Sequence, residues 1–329
     1  MSYSVLQHLR RAGLRPTVAR IAILQVVQAD PAPGIGADEA YLRLLQRGTR
    51  TSLNENLNED VNDGLNGGGA GPVLTGSANV YLGPARVPAA RAVLDKADIV
   101  ILEVNENLPW VYGGLDECIH IDDVDMIVEG PHGPLPGIKT PAASETEMKI
   151  AEYVVQNMVD GSTLQLGIGS LPNAVGQMIA KSDLRDLGIH TEMLCDSYLD
   201  MYKAGKITNT HKRLDRYKSI FGLAIGSPDL YDWIRENPGV VTYPISYCND
   251  PSIVGKIDNF VSINNCISVD LYGQICAESS GTRQISGTGG QLDFLEGAAL
   301  SNGGKAFICL TSSFTDKQGN VKSRINPLL

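Results

Sequence analysis

The order helix, strand, glycine loop, helix near the middle of this 329-residue chain constrains its fold more than any other feature. Ser144–Glu147 has the spacing of a capping box and predicts a helix at 145–159. The segment Thr163–Leu166 predicts a strand, which leads into the loop Gly167–Pro172 and a helix at Pro172–Lys181. This succession is one unit of an open, doubly wound α/β sheet, in which ligands bind at the carboxyl ends of strands.

Further segments extend the α/β pattern on both sides of this unit. A helix is predicted at 85–96, and a buried strand follows it at Asp98–Val104. More strands are predicted at Val261–Ile263, Cys266–Leu271 and Ala306–Thr311. The chain from about residue 80 onward is therefore predicted to belong to the α/β class.

The residues before position 80 have a different character. Short amphipathic helices are predicted at 3–12, 17–28 and 37–47, so residues 1–53 form an all-α segment. Residues 54–79 mix asparagines with acids and then run into glycines. Because such a segment cannot bury enough apolar surface to offset its chain entropy, it is predicted to be a flexible linker.

Charge and cysteine content limit the functional classes. The formal net charge of −10 argues against nucleic-acid binding, which needs an excess of basic residues, although residues 1–53 carry seven arginines against three acids. The six cysteines show no metal-ligand spacing, so no metal site is predicted. Without a signal segment or an apolar run of about 18 residues, the chain is predicted to be cytoplasmic and not membrane-bound.

One carboxylate lies between two glycine loops. The loops are Gly167–Pro172 and Ser286–Gln291, and Glu192 stands between them in His190–Met193. Glycine lets backbone N–H groups approach a charged oxygen, and a carboxylate can attack a thioester carbonyl. The combination predicts an enzyme that forms an acyl-glutamate intermediate.

A series of motifs follows a fixed order along the chain. They are Ile101–Pro109, Ile121–Asp125, Leu166–Val175, His190–Met193, Tyr247–Pro251, Ser262–Asn264, Val269–Gln274 and Gly287–Phe294. Through their order and spacing, residues 80–329 resemble the acetyl-CoA hydrolase/transferase family, and most closely its 4-hydroxybutyrate and butyrate–acetate CoA-transferases. The resemblance implies tandem open α/β sheets with an active site between the two halves.

The same resemblance implies roles for individual residues. Glu192 matches the glutamate that alternates between an acyl anhydride and a glutamyl-CoA thioester. Backbone N–H groups of Ile168 and Gly289 are expected to form the oxyanion hole. The residues expected to hold CoA are Gly167, Gly169, Ser170, Pro172, Asn264, Gly287, Gly290 and Gln291.

The reaction that the resemblance implies moves CoA from a short-chain acyl-CoA, such as butyryl- or 4-hydroxybutyryl-CoA, to acetate. The expected partners are an acyl-CoA and a short-chain carboxylate. Coenzyme A enters as the substrate thioester, and no permanently bound cofactor is expected. The oligomeric state stays open, with a homodimer as one alternative.

The two ends of the chain depart from this family pattern. Residues 5–53, which include Leu9–Arg20, resemble the first helices of the ferric uptake regulator family, but the acidic stretch Asn54–Asp63 stands where a recognition helix should begin. The expected domains are a partial winged-helix-like segment at 1–53, the linker at 54–79, a partial N-terminal CoA-transferase half at 80–141 and a truncated C-terminal half at 142–329.

Several alternatives stay open. Glu278 is a rival for the nucleophile, because a related class of CoA-transferases uses a glutamate followed shortly by glycine. His190 either tunes Glu192 or is placed beside it by strand alternation, and Asn249 either positions substrate or is a polar turn residue. The alternative functions are acyl-CoA hydrolysis, an inactive fragment that binds acyl-CoA, and a DNA-binding regulator.

Overall fold

The computed structural model describes residues 79–81, 94, 96–113, 115, 118–129, 131–138, 141–316 and 318–329. These residues divide into two compact units, one up to residue 136 with Ile234–Glu236 and one of 137–233 with 237–329. The three helices predicted within 1–53 lie outside the described residues. So do nearly all of the predicted linker and most of the helix predicted at 85–96.

The first unit contains short strands. They are β1 Asn79–Tyr81, β2 Ile101–Val104, β3 Tyr112–Gly113, β4 Cys118–His120 and β5 Met126–Glu129. Strand β1 pairs antiparallel with β4, and β2 pairs parallel with β5. Ile119 is the centre of a small apolar core that includes Leu102 and Val124. The strand predicted at Asp98–Val104 forms over its last four residues.

The second unit is built around parallel strands. Its strands are β6 Thr163–Leu166, β7 Gly188–Leu194, β8 Ser219–Ala224, β9 Val240–Thr242, β10 Phe260–Asn265, β11 Ser268–Asp270, β12 Ile275–Cys276, β13 Ser279–Ser280, β14 Arg283–Gln284, β15 Lys305–Cys309, β16 Ser313–Thr315, β17 Val321–Ser323 and β18 Ile325–Asn326. Six of them pair in the order β15-β10-β6-β7-β8-β9, and every pair is parallel.

This strand order contains a topological switch point. The chain passes outward from β6 through β7, β8 and β9, and then returns to β10 on the other side of β6. The connections after β6 and β10 therefore leave the sheet in opposite directions, which opens a crevice between the carboxyl ends of these two strands. The α/β class expected from the sequence is confirmed, and the switch point is where ligands bind in sheets of this type.

Burial along the central strands identifies the open end of the sheet. All four residues of β6 are buried, as expected for a strand covered on both faces. In β7 the side chains are buried except Glu192 and Met193, which are half-buried near the carboxyl end. The sheet therefore exposes side chains at the edge where the switch point lies.

Helices surround this sheet. They are α1 Glu145–Gln156, α2 Ser170–Lys181, α3 Asp196–Lys203, α4 Pro228–Ile234, α5 Ile245–Cys248, α6 Pro251–Val254 and α7 Gln291–Leu300. The predicted capping box opens α1, since Ser144 Oγ accepts the Glu147 N–H and the Glu147 carboxylate accepts the Ser144 N–H. Helix α2 packs against α1 and α3, and it begins two residues before the predicted Pro172.

Helices α6 and α7 pack together and share a core with β10. Val254, Ile257, Phe260, Phe294 and Ala298 are all buried in this core. It fixes the start of α7, and thus the second glycine loop, relative to the sheet. A fully buried cluster of this kind is the main source of stability in an α/β unit.

Short strands complete the second unit. Strand β11 lies between β12 and β18 in a separate sheet, so the strand predicted at Cys266–Leu271 is shorter than expected and does not continue β10. Strands β13 and β14 pair antiparallel, as do β16 and β17. Within the described part of the chain, no helix has the length and apolarity that a membrane crossing requires.

Candidate active site

Glu192 lies near the carboxyl end of β7, beside the switch point. Strand β7 pairs directly with β6, and their register aligns Thr163 with Gly188 and Leu164 with Ile189. Continued by three residues, this register brings Gly167 level with Glu192. The first glycine loop and the carboxylate therefore lie side by side at the same edge of the sheet.

The Glu192 carboxylate is held through one of its two oxygens. Asn249 Nδ2 donates to Glu192 Oε2 at 2.8 Å, and the backbone N–H of Gly290 donates to the same oxygen at 2.9 Å. Among the described residues, Oε1 accepts no hydrogen bond. Since both donors reach Oε2, the carboxylate is oriented while Oε1 stays available to react.

Gly290 must be a glycine because of its close neighbours. A Cβ at this position would overlap both the Glu192 carboxylate and the Asn249 side-chain amide. The residue is also the N-cap of α7, with an ordinary φ of −78°, so steric approach and not backbone conformation excludes a side chain here. The positive end of the α7 dipole lies next to the carboxylate.

The other predicted residues of the second loop lie at different distances from Glu192. A Cβ on Gly289 would lie 4.0 Å from Glu192 Oε1, an ordinary van der Waals contact, whereas Gly287 has open space around it. Gln291 is the first residue of α7. The loop's hydrogen bond to the carboxylate thus comes from Gly290, which sequence reasoning had assigned to CoA binding. The expected part of Gly289 in the oxyanion hole stays a prediction.

The first glycine loop presents a free backbone donor. The Gly167 N–H donates to the carbonyl of Ile263 at 2.8 Å, whereas within the described chain nothing accepts the N–H of Ile168. Gly169 has a φ of +124°, a conformation that residues with a side chain rarely adopt. This turn, which glycine permits, ends β6 and starts α2, and no described residue accepts the Ile168 N–H.

A buried amide network supports this loop from β10. Asn264 Oδ1 accepts from Gln165 Nε2 at 3.1 Å, while Asn264 Nδ2 donates to Gln165 Oε1 and to Ser262 Oγ, both at 3.0 Å. A Cβ on Gly167 would lie only 2.8 Å from Asn264 Oδ1. Asn264, which was expected to hold CoA, therefore has protein partners for both polar atoms and packs beneath the loop.

The neighbouring Asn265 was not singled out from the sequence. Its Nδ2 would lie 3.0 Å from a Cβ on Gly169, and its Oδ1 is buried without a hydrogen-bond partner in the described part of the protein. Asn249 Oδ1 is likewise buried without a partner there. Two unpaired amide oxygens therefore lie around the site, each able to accept a hydrogen bond from a ligand N–H or a water.

A carboxylate already lies at the start of α2, where Ser170 and Pro172 were expected to hold CoA. Ser170 Oγ donates a short hydrogen bond to Glu147 Oε1. This bond from Ser170 lowers the pKa of Glu147, and the bonds from Ser144 lower it further. Pro172 is buried in the first turn of α2. Since Glu147 is anionic, a phosphate at this helix end would meet a like charge, and the CoA contacts of Ser170 and Pro172 stay predictions.

Tyr198 fixes the end of β6 from α3. Its hydroxyl accepts the Leu166 N–H at 2.6 Å, one residue before the glycine loop. The side chain is fully buried, and burial raises the pKa of Tyr198 above its ordinary value. No local sequence signal marks this residue, because the contact joins a helix and a strand separated by 32 positions.

Glu278 lies in a different environment from Glu192. Its backbone carbonyl accepts the N–H groups of Ile285 and Ser286 at 2.7 and 3.1 Å, which closes the β13–β14 hairpin. Within the described residues, no hydrogen bond joins its carboxylate to Asn249 or Gly290. The geometry therefore favours Glu192 over this rival.

A cluster in the first unit was not visible from sequence spacing. Ligand atoms of Glu106, Glu129 and His132 all lie within 4.8 Å of one another. However, His132 Nδ1 accepts the Glu106 N–H at 3.1 Å, so Nε2 carries the proton and faces Glu129 Oε1 at 3.3 Å. In this arrangement the ring offers no lone pair to a metal ion.

The fold and the site define an α/β protein with a half-buried carboxylate at a switch point, and comparison with known proteins gives its family. Residues 75–139 match the acetyl-CoA hydrolase/transferase N-terminal domain, and residues 226–329 match the C-terminal domain of the same family. The chain belongs to the acetyl-CoA hydrolase/transferase family. The ferric uptake regulator resemblance concerns residues before these matches and stays a prediction.

Several relatives are named CoA-transferases, and others are named acetyl-CoA hydrolases. The butyryl-CoA:acetate CoA-transferase of Anaerostipes caccae is 54% identical over 239 residues, which cover 72% of this chain and 54% of the relative. RipA from Yersinia pestis matches with a TM-score of 0.69 at 36% identity, over 79% of this chain and 56% of that chain. The structure of a 4-hydroxybutyrate CoA-transferase from Porphyromonas gingivalis matches with a TM-score of 0.67 at 35% identity, over 79% of this chain and 60% of that chain. This chain spans about half the length of the curated relatives it matches.

Proposed function

We propose that this chain acts as a CoA-transferase that moves CoA from a short-chain acyl-CoA to a carboxylate through a thioester on Glu192. The observation that carries the proposal is the orientation of one carboxylate, with Oε2 held by two donors and Oε1 free. Relatives named butyryl-CoA:acetate CoA-transferase support butyryl-CoA and acetate as the substrate pair. The proposed chemistry needs no permanently bound cofactor.

The first step would form an anhydride. Glu192 Oε1 attacks the thioester carbonyl carbon of the acyl-CoA, the C–S bond breaks, and CoA leaves as a thiolate. Negative charge develops on the acyl oxygen during the attack. The free N–H of Ile168, at the same edge of the sheet, is the donor proposed to stabilise that charge, and Gly289 is the expected second donor.

The second step would transfer CoA to the protein. The thiolate attacks the Glu192 carbonyl carbon of the anhydride, the acyl group leaves as a carboxylate, and a glutamyl-CoA thioester remains. Charge now develops on Oε2, which Asn249 Nδ2 and the Gly290 N–H contact at 2.8 and 2.9 Å. Donors at such distances from a developing oxyanion typically contribute about 3 kcal/mol each to the transition state.

The return half-reaction repeats these steps with the acceptor. Acetate attacks the glutamyl thioester, CoA thiolate leaves, and the thiolate then attacks the acetyl carbonyl, which releases acetyl-CoA and the free Glu192 carboxylate. Every nucleophile and leaving group in the sequence is an anion, so no proton has to move. Chemistry without proton transfer suits the contacts of Glu192, which are a side-chain amide and a backbone N–H. Neither group acts as an acid or base near neutral pH.

The test is the intact mass of the protein after mixing with butyryl-CoA. Wild type should gain one CoA-sized adduct that acetate removes, Glu192→Ala should gain none, and Glu278→Ala should behave as wild type. Release of free CoA with no acetate requirement would identify hydrolysis instead. Absence of any adduct on folded wild-type protein, or its loss in Glu278→Ala alone, would refute the proposed role of Glu192.

A further inference from the structure

His190 is a fully buried histidine that the proposed chemistry does not use. It precedes Glu192 by two positions in β7, so both side chains point to the same face of the strand. Its ring packs edge-on against Phe260 and tilts against Tyr247, with both centroid distances at 6.2 Å. These neighbours leave the imidazole one orientation beneath the reactive carboxylate.

The single hydrogen bond of this ring defines its protonation. His190 Nε2 lies 2.8 Å from the carbonyl oxygen of Cys248. Because a carbonyl oxygen can only accept, Nε2 must carry the proton. Nδ1 is buried and has no hydrogen-bond partner among the described residues. Burial, helped by the nearby charge of Lys212, lowers the pKa of His190 to about 3, so the ring stays neutral and keeps this tautomer.

The carbonyl that His190 holds belongs to the end of a very short helix. Cys248 is the last residue of α5, which has only four residues, so its carbonyls depend on partners outside the helix. The next residue, Asn249, is the C-cap of α5 and donates its side-chain N–H to Glu192. Strand β7 therefore contacts this corner twice, once through His190 and once through Glu192.

We propose that His190 is a positioning residue, which holds the Cys248–Asn249 corner against β7 and thereby aims Asn249 Nδ2 at the Glu192 carboxylate. The proposal rests on the proposed function, because Asn249 matters for rate only if charge develops on Glu192 Oε2. The neutral Nε2–H donor sets the position of the corner, and His190 itself touches neither substrate nor the reacting atoms.

Two substitutions at position 190 separate positioning from packing. His190→Leu fills the space but has no donor, whereas His190→Gln carries an N–H close to the position of Nε2. We expect His190→Leu to lower kcat about 10- to 100-fold with little change in KM. This fall in kcat is smaller than the fall typical of removing an oxyanion-hole donor outright. His190→Gln should recover most of that loss.

A double-mutant cycle tests whether His190 acts through Asn249. If it does, His190→Leu should change kcat less than about twofold in an Asn249→Ala background, because the side chain that it positions is already absent. If the two losses multiply instead, His190 does not act through Asn249 and the proposal fails. Thermal unfolding of each variant shows whether the protein is folded at the assay temperature.

Readouts without catalysis keep this proposal separate from the proposed function. In crystal structures, the contact between Asn249 Nδ2 and Glu192 Oε2 should be lost in His190→Leu and kept in His190→Gln; its persistence in His190→Leu would overturn the proposal. If His190→Leu does not fold, ¹⁵N NMR spectra of the His190 ring in the wild-type protein provide the test. A proton on Nδ1 instead of Nε2, or titration of the ring between about pH 5 and 8, would contradict the proposal. If the wild-type protein forms no CoA adduct, the proposed function is refuted, whereas the positioning role of His190 is still decided by these structural readouts.

Discussion

The backbone N–H of Gly290 donates to Glu192 Oε2 at 2.9 Å, across a separation of 98 positions in the chain. The bond brings the start of α7 onto the carboxylate at the end of β7. With Asn249 Nδ2 on the same oxygen, it leaves Oε1 without a hydrogen-bond donor among the described residues.

Gly290→Ala should inactivate the protein while leaving it folded. The added Cβ would overlap the Glu192 carboxylate and the Asn249 amide, so both must move out of place. We expect transfer from butyryl-CoA to acetate to fall at least about 100-fold, since misplacement of about 1 Å can have that effect. Gly133→Ala is the matched control, because its Cβ would meet open space and the residue is not among those expected to hold CoA. Equal activities of the two variants would contradict the proposed contact.

Asn249→Ala should slow turnover about 100- to 1,000-fold, the usual effect of removing one oxyanion-hole donor. The expected reason is loss of the 2.8 Å bond to Glu192 Oε2 when charge develops there. The measurement is kcat with butyryl-CoA and acetate. Asn302→Ala, at an exposed asparagine, should match wild type. A kcat of Asn249→Ala within threefold of wild type would exclude a transition-state role for this amide.

Tyr198→Phe should destabilise the second unit. The change removes the hydroxyl that accepts the Leu166 N–H at 2.6 Å and leaves a buried donor unpaired. Such a loss typically costs about 1–3 kcal/mol in the free energy of unfolding. Urea unfolding measures it, with Tyr202→Phe as the control. Tyr202 is 46% exposed, its ring lies tilted against that of Trp233, and among the described residues its hydroxyl makes no hydrogen bond. Equal destabilisation by both substitutions would argue against this role of the Tyr198 hydroxyl.

Lys212 should contribute stability that rises with pH in the alkaline range. Its Nζ is buried and donates to the carbonyls of Ile189 and Lys218 at 2.9 and 2.7 Å. A neutral amine has two hydrogens, which are enough to make both hydrogen bonds. Burial lowers the pKa of Lys212 from 10.5 to about 7, opposed by the charge of Asp215. Between these values the unfolded chain binds more protons than the folded one, so the free energy of unfolding increases with pH.

Lys212→Met should flatten that dependence. Urea unfolding between about pH 7.5 and 9.5 measures the slope, while the absolute stability also falls because two hydrogen bonds are lost. Lys256→Met, at an exposed lysine, should keep the wild-type slope. An unchanged slope in Lys212→Met would mean that the folded protein keeps this amine protonated in the same range, so that its pKa is not lowered.

Much of the fold could be predicted because its signals are local. Strand β6 forms at the predicted residues, the capping box at Ser144 opens α1, and Pro172 lies in the first turn of α2. Each depends on residues that are neighbours in the chain. The predicted strand at Cys266–Leu271 was wrong in extent, since the chain leaves the main sheet after Asn265 and pairs elsewhere.

The sequence by itself determined the α/β class, the two glycine loops and the carboxylate at Glu192 as the leading candidate nucleophile. Only the tertiary structure decided that Asn249 and Gly290 meet on Glu192 Oε2, from 57 and 98 positions away. It also decided that the Gly290 N–H donates to this carboxylate, that Asn264 packs beneath the first loop, and that His190 faces Cys248. The physical reason is that strand order and helix packing bring these groups together from distant parts of the chain. The spacing of residues along the sequence does not specify which of them come within hydrogen-bond distance.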